Sequence, residues 1–356
     1  MVGATLGVVG YVPDNIKEGN INQNVVRIRV KDKKVNPKYL SIVLSSQIGQ
    51  KLILRNATIT TQAYINNSQL ESIIIPFPPL AIQNQIVQIM DNAYKIKKQK
   101  ETEAQQLLDS IDEFVLNELG IKLPELKDRM CYVVYSDEVE NKRIDAYYHH
   151  PKFKEVENAM NKGKFETKKL KQFIISLSMG ISVPDYKNQN NDVPFILGKN
   201  LKHGYLNFDE LEYINNETNN RNKKSILKEN DILFSVRGAY IGKVAVVPKK
   251  VEGGNIINNI VKFSLTLNLN SFYLVCFLNC TISKKIIYRN VWGGAQPGFT
   301  NQQIRNLIIP IPPLETQNKI AEEVQSRIQK AERLKKEAVQ VLEEAKAKVE
   351  KIILNN

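Results

Sequence analysis

Two stretches of the chain carry apolar residues three or four apart, and the remainder carries short β-type runs broken by Gly, Pro and Asn. In the first stretch Ile82, Ile86, Ile89, Ala93, Ile96, Ala104, Leu107, Ile111 and Phe114 follow that spacing or its sums. In the second, Ile320, Val324, Ile328, Ala331, Leu334, Ala338, Val341, Ala345, Val349 and Ile352 do the same. A period near 3.5 is the stripe of a long amphipathic helix. Roughly 40 residues at 1.5 Å rise make a rod of about 60 Å. A stripe of that length needs a partner, and each rod is the other's candidate. Ile86, Ile96, Leu107, Ile111, Ile320, Val324, Leu334 and Val341 are the expected seam. Antiparallel pairing would set the preceding domains at opposite ends, and parallel pairing would set them side by side. The alternating charges of 330–344 are expected to form a solvated face, part of it covered by partner subunits.

The rest predicts mixed β structure. Residues 193–197, 231–235, 243–247 and 260–267 are rich in strand formers, and Gly238 and Gly242 break the pattern between two of them. The Asn-rich clusters 188–192 and 215–222 predict loops. Residues 273–280 and 283–288 predict short packing helices. The fold class expected is therefore α+β.

The chain also repeats itself. Leu307-Ile308-Ile309-Pro310-Ile311-Pro312-Pro313-Leu314 echoes Ile73-Ile74-Ile75-Pro76-Phe77-Pro78-Pro79-Leu80 at an offset of 234. At that offset Gln83, Asn84, Gln62, Asn67, Asn36, Tyr39 and Leu40 match Gln317, Asn318, Gln296, Asn301, Asn270, Tyr273 and Leu274. At 235, Gly3, Ala4, Gly7, Pro13, Gly19, Asn20 and Asn24 match Gly238, Ala239, Gly242, Pro248, Gly254, Asn255 and Asn259. So many Gly, Pro and Asn identities at one spacing mark a duplicated unit.

Charge adds its placement to this picture. Of the net +13, residues 1–79 hold 9 basic and 4 acidic side chains, and 121–310 hold 28 and 18. The helical stretches 80–120 and 315–356 hold 4 against 7 and 9 against 8. A basic excess segregated into the non-helical regions suits a polyanion such as nucleic acid. No run approaches the roughly 20 apolar residues of a membrane span. Residues 2–12 lack the basic lead and cleavage site of a signal peptide. Three cysteines, Cys131, Cys276 and Cys280, suggest no disulfide framework, so a cytoplasmic protein is expected.

Catalytic signatures are wanting. Ile75-Pro76-Phe77-Pro78-Pro79 lacks the Asn or Asp with which an amino-methyltransferase grips its target. Pro184-Asp185-Tyr186-Lys187 lacks the paired acidic-x-Lys strand of a nuclease and is expected to be a turn. His149, His150 and His203 have no partners at metal spacing. No enzyme, cofactor or metal is expected. The candidate DNA-reading residues are instead Lys187, Asn188, Gln189, Asn190, Lys199, Asn200, Lys202, His203, Arg237, Tyr240, Gln296, Asn301 and Gln302. Lys seeks phosphates, whereas Asn and Gln bond adenine edges and Arg bonds guanine.

The order of a recognition domain, Pro-Pro-Leu-x-x-Gln and a long helix, given twice, resembles the specificity subunits of type I restriction–modification enzymes. Pro78-Pro79-Leu80-Ala81-Ile82-Gln83 and Pro312-Pro313-Leu314-Glu315-Thr316-Gln317 are such junctions. Ile144-Asp145-Ala146-Tyr147-Tyr148 with Pro151 looks like the opening of a target-recognition domain. Residues 193–200, Gly204 and 232–242 look like its internal landmarks. The resemblance implies two mixed-β target-recognition domains, each reading one half of a split DNA site. It also implies helices that pair as an antiparallel coiled coil, set the spacing and dock methyltransferase subunits, with restriction subunits recruited in turn. The expected layout is a partial first recognition domain at 1–75, a spacer helix at 76–120, a second recognition domain at 121–310 and a C-terminal helix at 311–356. The first is expected to be partial because Gly3 matches Gly238, a mid-domain position. Three other readings are a truncated or phase-variation relic reading one half-site, the reading arm of a fused restriction–methylation enzyme, and a coiled-coil scaffold.

Overall fold

The computed structural model describes residues 6–13, 15–59, 63–126, 130–139, 143–182, 192–202, 204–291 and 298–355. Helices α1 (Pro37–Ser45), α2 (Gln47–Asn56) and α3 (Asn67–Glu71) precede the 39-residue α4 (Leu80–Glu118). Helices α5 (Ser136–Val139) and α6 (Pro151–Asn161) lead to strands β1 (Thr167–Lys169), β2 (Ile174–Met179), β3 (Val193–Ile196) and β4 (Glu212–Ile214). After α7 (Asn216–Arg221) come β5 (Ile232–Ser235), β6 (Val244–Val246), β7 (Asn255–Ile256) and β8 (Ile260–Leu265). Then follow α8 (Ser271–Asn279), α9 (Thr281–Asn290), α10 (Asn301–Asn306), β9 (Ile308–Pro310) and the 41-residue α11 (Leu314–Leu354). The expected α+β mixture with long helices is what the chain adopts.

Two compact units divide it, one of Met1–Gln106 with Lys330–Asn356 and the other of Leu107–Gln329. Among the described residues of the second unit three small sheets run β2-β8-β5-β6, β4-β3-β7 and β1-β9; of the named strands β3 and β7 pair parallel and the others antiparallel. β8 lies at the centre of the largest sheet because residues 260–263 are apolar enough, Lys262 apart, to be buried on both faces. Phe234 and Phe263 pack there with Tyr273 and Phe277 of α8, Val115 and Leu119 of α4, and Ile320 and Val324 of α11. Cys276 and Cys280 are free and buried in that core. Burial pushes both thiols well above their usual range, so neither is poised as a nucleophile. In the first unit Tyr39 and Val43 of α1 pack on Ile86 and Met90 of α4 and on Val349 and Ile353 of α11.

The expected seam needs one correction. Ile86, Ile320, Val324 and Leu334 are buried, and Leu107, Ile111 and Val341 are half-buried, but Ile96 is 40% exposed. From Ile86, Met90 and Ala93 the inward positions continue through Lys97 and Lys100 to Ala104. The stripe passes one residue beyond Ile96 because steps of four and three, once set by Met90 and Ala93, lead to 97 and 100. The two lysine side chains are half-buried and their ammonium groups reach Glu101 and Glu337, both at 2.6 Å.

The duplication is structural, and its identities carry hydrogen bonds. α1, α2, α3 and α4 begin 234 residues before α8, α9, α10 and α11 respectively. The Asn36 backbone N–H donates to Gln83 Oε1 at 2.8 Å, as Asn270 does to Gln317 Oε1 at 2.8 Å. Tyr39 Oη donates to the Pro76 carbonyl and Tyr273 Oη to the Pro310 carbonyl, each at 2.8 Å. Gln83 and Gln317 each donate to the carbonyl five residues earlier, at 2.9 Å. Gly7 and Gly242, matched at 235, both hold positive φ, +87° and +77°.

The β half of the repeat behaves differently. Residues 1–75 are expected to be mixed β, yet the described residues there form helices and unpaired chain with a single bridge between Thr58 and Tyr64. At offset 235, β6 and β8 correspond to residues 9–11 and 25–30. Among the described residues, 9–11 and 25–30 form no strand. A helix satisfies its own backbone, whereas a strand needs a neighbour. Val8, Val12, Val25 and Ile28 are accordingly 81%, 65%, 51% and 48% exposed.

Candidate nucleic-acid interface

Within the second unit, β5 runs into Val236 and Arg237 and returns to β6 through a 3-10 turn at Gly238–Tyr240. The turn closes when the Gly242 N–H donates to the Ser235 carbonyl at 2.8 Å and the Ser235 N–H donates to the Lys243 carbonyl at 2.9 Å. Both Gly238 and Gly242 sit at φ +77°, where a side chain would be strained. Tyr240 rests its ring on a second 3-10 turn, Gly198–Asn200, so closely that a Cβ at Gly198 would stand 2.8 Å from Tyr240 Cδ2. Beyond that turn the Gly204 N–H donates to the Val244 carbonyl at 3.2 Å, which fixes the Lys202 segment beside β6. On the other side, Arg237 bridges Gly298 and the Phe299 N–H donates to the Val236 carbonyl at 2.9 Å. Phe299 stacks on Phe234, ring centroids 5.3 Å apart, and Thr300 then caps α10. Four of the expected residues thus converge on one end of the sheet: the exposed Arg237 with the first-turn Asn301 and Gln302, and the half-buried Tyr240.

Lys202 belongs to the same surface, but its neighbours at 199 and 200 do not serve as expected. Lys199 Nζ is held by Glu210 at 3.2 Å and Glu212 at 3.1 Å, and these carboxylates raise its pKa. Its charge is already matched inside the chain, unlike a phosphate-seeking cation. Asn200 is only 2% exposed. Its Oδ1 accepts the Leu197 N–H at 2.9 Å and its Nδ2 donates to the Asn207 carbonyl at 3.1 Å, so it shapes the turn and presents no edge to a base. Lys187, Asn188, Gln189, Asn190, His203 and Gln296 lie outside the described residues.

Two lysines escaped the sequence reading. Lys243 places Nζ 4.7 Å over the Tyr240 ring. Burial first, and the charge of Lys202 second, lower its pKa. Lys284 of α9 donates to the Gly242 carbonyl and, at 3.0 Å, to Asn279 Oδ1. Burial chiefly, with the charge of Lys243, pushes it down to about 8. Lys243 had a sequence signal, since it follows the Gly-flanked turn at once; Lys284 had none, being one of many helix lysines.

A separate cavity of about 790 Å³ is lined by Arg143, Tyr148, Glu157 and Arg289 among others. Its guanidinium groups are engaged within the chain, Arg289 by Glu157 at 2.6 Å and Arg143 by Asp145 at 2.7 Å. Among the described residues no group of three His, Cys, Asp or Glu side chains could hold a metal ion, and no helix is long and apolar enough to cross a membrane.

The contact between Gly198 and Tyr240 is testable by coupling. Gly198→Ala should cost about 1–3 kcal/mol through overpacking, and in a Tyr240→Ala background it should be nearly neutral. Equal losses in both backgrounds, measured by urea unfolding, would show that the two turns do not meet through this ring.

Among known proteins, the chain is 27% identical over 337 residues to the type I restriction enzyme MjaX specificity subunit of Methanocaldococcus jannaschii, covering 93% of this chain and 70% of that one. Its fold is similar to a solved chain from a study of complex assembly and conformational transition of the type I R-M system, with a TM-score of 0.53, 16% identity and coverage of 92% and 72%. It is also similar to the type I restriction–modification S subunit of M. genitalium, at TM-score 0.50, 14% identity and coverage of 90% and 73%. The family described as type I restriction modification DNA specificity domain matches residues 1–106 and 162–344. That is most of the sequence, and it includes both Pro-Pro-Leu junctions and the whole Arg237–Lys243 turn: the chain belongs to this family.

Proposed function

We propose that the chain is the DNA-reading specificity subunit of a type I restriction–modification assembly and performs no chemistry itself. The observation that carries this reading is the end of the β5–β6 sheet, where Arg237, Lys202, Asn301 and Gln302 stand on turns locked to one another by Tyr240 and Phe299. Backbone contacts from the lysine would position the duplex, and the guanidinium and amides would read base edges. The amide-rich residues 187–190 and Gln296, which lie outside the described residues, are proposed as further base readers.

The long helices form the spacer. Within the first unit Lys100 meets Glu337 at 2.6 Å and Glu103 meets Lys330 at 3.3 Å; within the second Ser110 meets Arg327 and Glu118 meets Lys319 at 2.9 Å. Numbers rise along α4 as they fall along α11, which supports an antiparallel coiled coil. Its outer face would dock methyltransferase subunits, with restriction subunits joining in the cytoplasm.

Only one half-site should be read sharply. Residues 121–310 carry the assembled sheet, whereas residues 1–75 hold no paired strands among those described, which favours the single-half-site variant of this function. Randomised-site selection on the chain assembled with methyltransferase subunits should return one strongly specified half and one weak one. Two equally sharp halves would mean that residues 1–75 form a working reader, and no enrichment at all would sink the DNA-reading function.

A further inference from the structure

We infer that Lys202 and Lys243 close on one backbone phosphate of the DNA, a contact that seats the Gly238–Tyr240 turn against the duplex. The inference rests on the DNA-reading function proposed above and names residues that hold the backbone. Several cations of this unit have carboxylate partners: Lys199 has two glutamates, Lys262 has Asp231, Arg289 has Glu157 and Lys319 has Glu118. Among the described residues Lys202 and Lys243 form no ion pair. Lys284, behind them, donates only to uncharged acceptors, the Gly242 carbonyl and Asn279. Lys202 acts on Lys243 and Lys243 on Lys284, so three ammonium groups lie near one another, and among the described residues none of the three forms an ion pair.

Like charges so placed repel one another, and a bound anion would relieve the repulsion. The pKa of Lys243 is lowered partly by Lys202, and that of Lys284 partly by Lys243, which is the same crowding seen from each group. The site is also rigid. Gly204 ties the Lys202 segment to β6, Tyr240 packs on Gly198, and the Tyr240 ring holds the Lys243 ammonium at 4.7 Å. A cation held over an aromatic face keeps donors free for an oxygen ligand. A pre-set pair of cations loses little side-chain entropy on meeting a phosphate. The neighbouring Arg237, Asn301 and Gln302 offer the groups that read bases, so the phosphate contact sits where it would fix their register.

The test uses the full chain, alone or assembled with methyltransferase subunits, and a duplex of random sequence across a salt series. Lys202→Gln and Lys243→Gln should each weaken binding and flatten the slope of log affinity against log salt, and the double variant should flatten it by about one, the loss of a single phosphate contact. Lys243→Arg should keep the slope. Lys169→Gln, in β1, should match the wild type. Circular dichroism establishes that each variant is folded. Unchanged slopes in folded Lys202→Gln and Lys243→Gln, or an equal loss in Lys169→Gln, would overturn the assignment while the DNA-reading function stands. A wild-type chain that retains no duplex would overturn both.

Discussion

Lys262→Met should destabilise the second unit by about 3–5 kcal/mol, because it strands a buried carboxylate. Lys262 lies mid-strand in β8, with its side chain 7% exposed, and Asp231, just before β5, is 2% exposed. Their contact is 2.8 Å, and the same ammonium also donates to the Ile226 carbonyl at 2.5 Å. Asp231 accepts in addition from Ser264 Oγ at 2.5 Å and from the Lys228 N–H at 3.0 Å. The two residues therefore join β8, β5 and the segment before β5 in one network. Removing the lysine leaves Asp231 charged in a site closed to water, with only neutral donors. The double variant Lys262→Met with Asp231→Leu removes both charges and should recover a large part of the loss. Urea unfolding monitored by tyrosine and tryptophan fluorescence gives both numbers. A single variant as stable as the wild type would mean that solvent reaches the pair and that the sheet is less closed than described.

Helices and duplication were legible because both are written locally. The apolar period of α4 and α11 needs no knowledge of distant residues, and the Pro-Pro-Leu junctions mark where each begins. The identities that revealed the repeat are those that hold the junction together: Asn36 and Asn270, Tyr39 and Tyr273, Gln83 and Gln317. What depended on partners was not legible. Residues 1–75 are expected to be mixed β, yet a strand forms only where another pairs with it. Ile96 looked like a seam residue, but Met90 and Ala93 set a register that hands its place to Lys97. In the candidate site the turn residues Arg237 and Tyr240 could be read from their flanking glycines. Asn200 could not be told from a base-reading amide, because only the fold shows its amide bonded to Leu197 and Asn207. Lys284 becomes notable only once α9 brings it under Gly242.

Gln317→Leu and Gln83→Leu should each cost about 2–4 kcal/mol, since each removes a buried amide hydrogen-bonded to three backbone groups of the junction. Gln317 is 1% exposed and Gln83 is fully buried. Gln317 Oε1 accepts the Asn270 N–H at 2.8 Å, and Nε2 donates to the Pro312 carbonyl at 2.9 Å and the Asn268 carbonyl at 3.3 Å. Gln83 repeats this with Asn36, Pro78 and Lys34. Leucine fits the volume and satisfies none of these groups. Proline at 310, 312 and 313 already deprives the junction of N–H donors, so the glutamine is what ties the turn before each long helix to the start of the short helix packed on it. The two variants should also act separately, because Gln83 belongs to the first compact unit and Gln317 to the second. Hydrogen exchange resolved along the chain should show Gln83→Leu loosening α1 and the start of α4, and Gln317→Leu loosening α8 and the start of α11. Protection lost equally in both pairs of helices from either single change would mean that the repeated junctions unfold as one, and that the two units are not independent in stability.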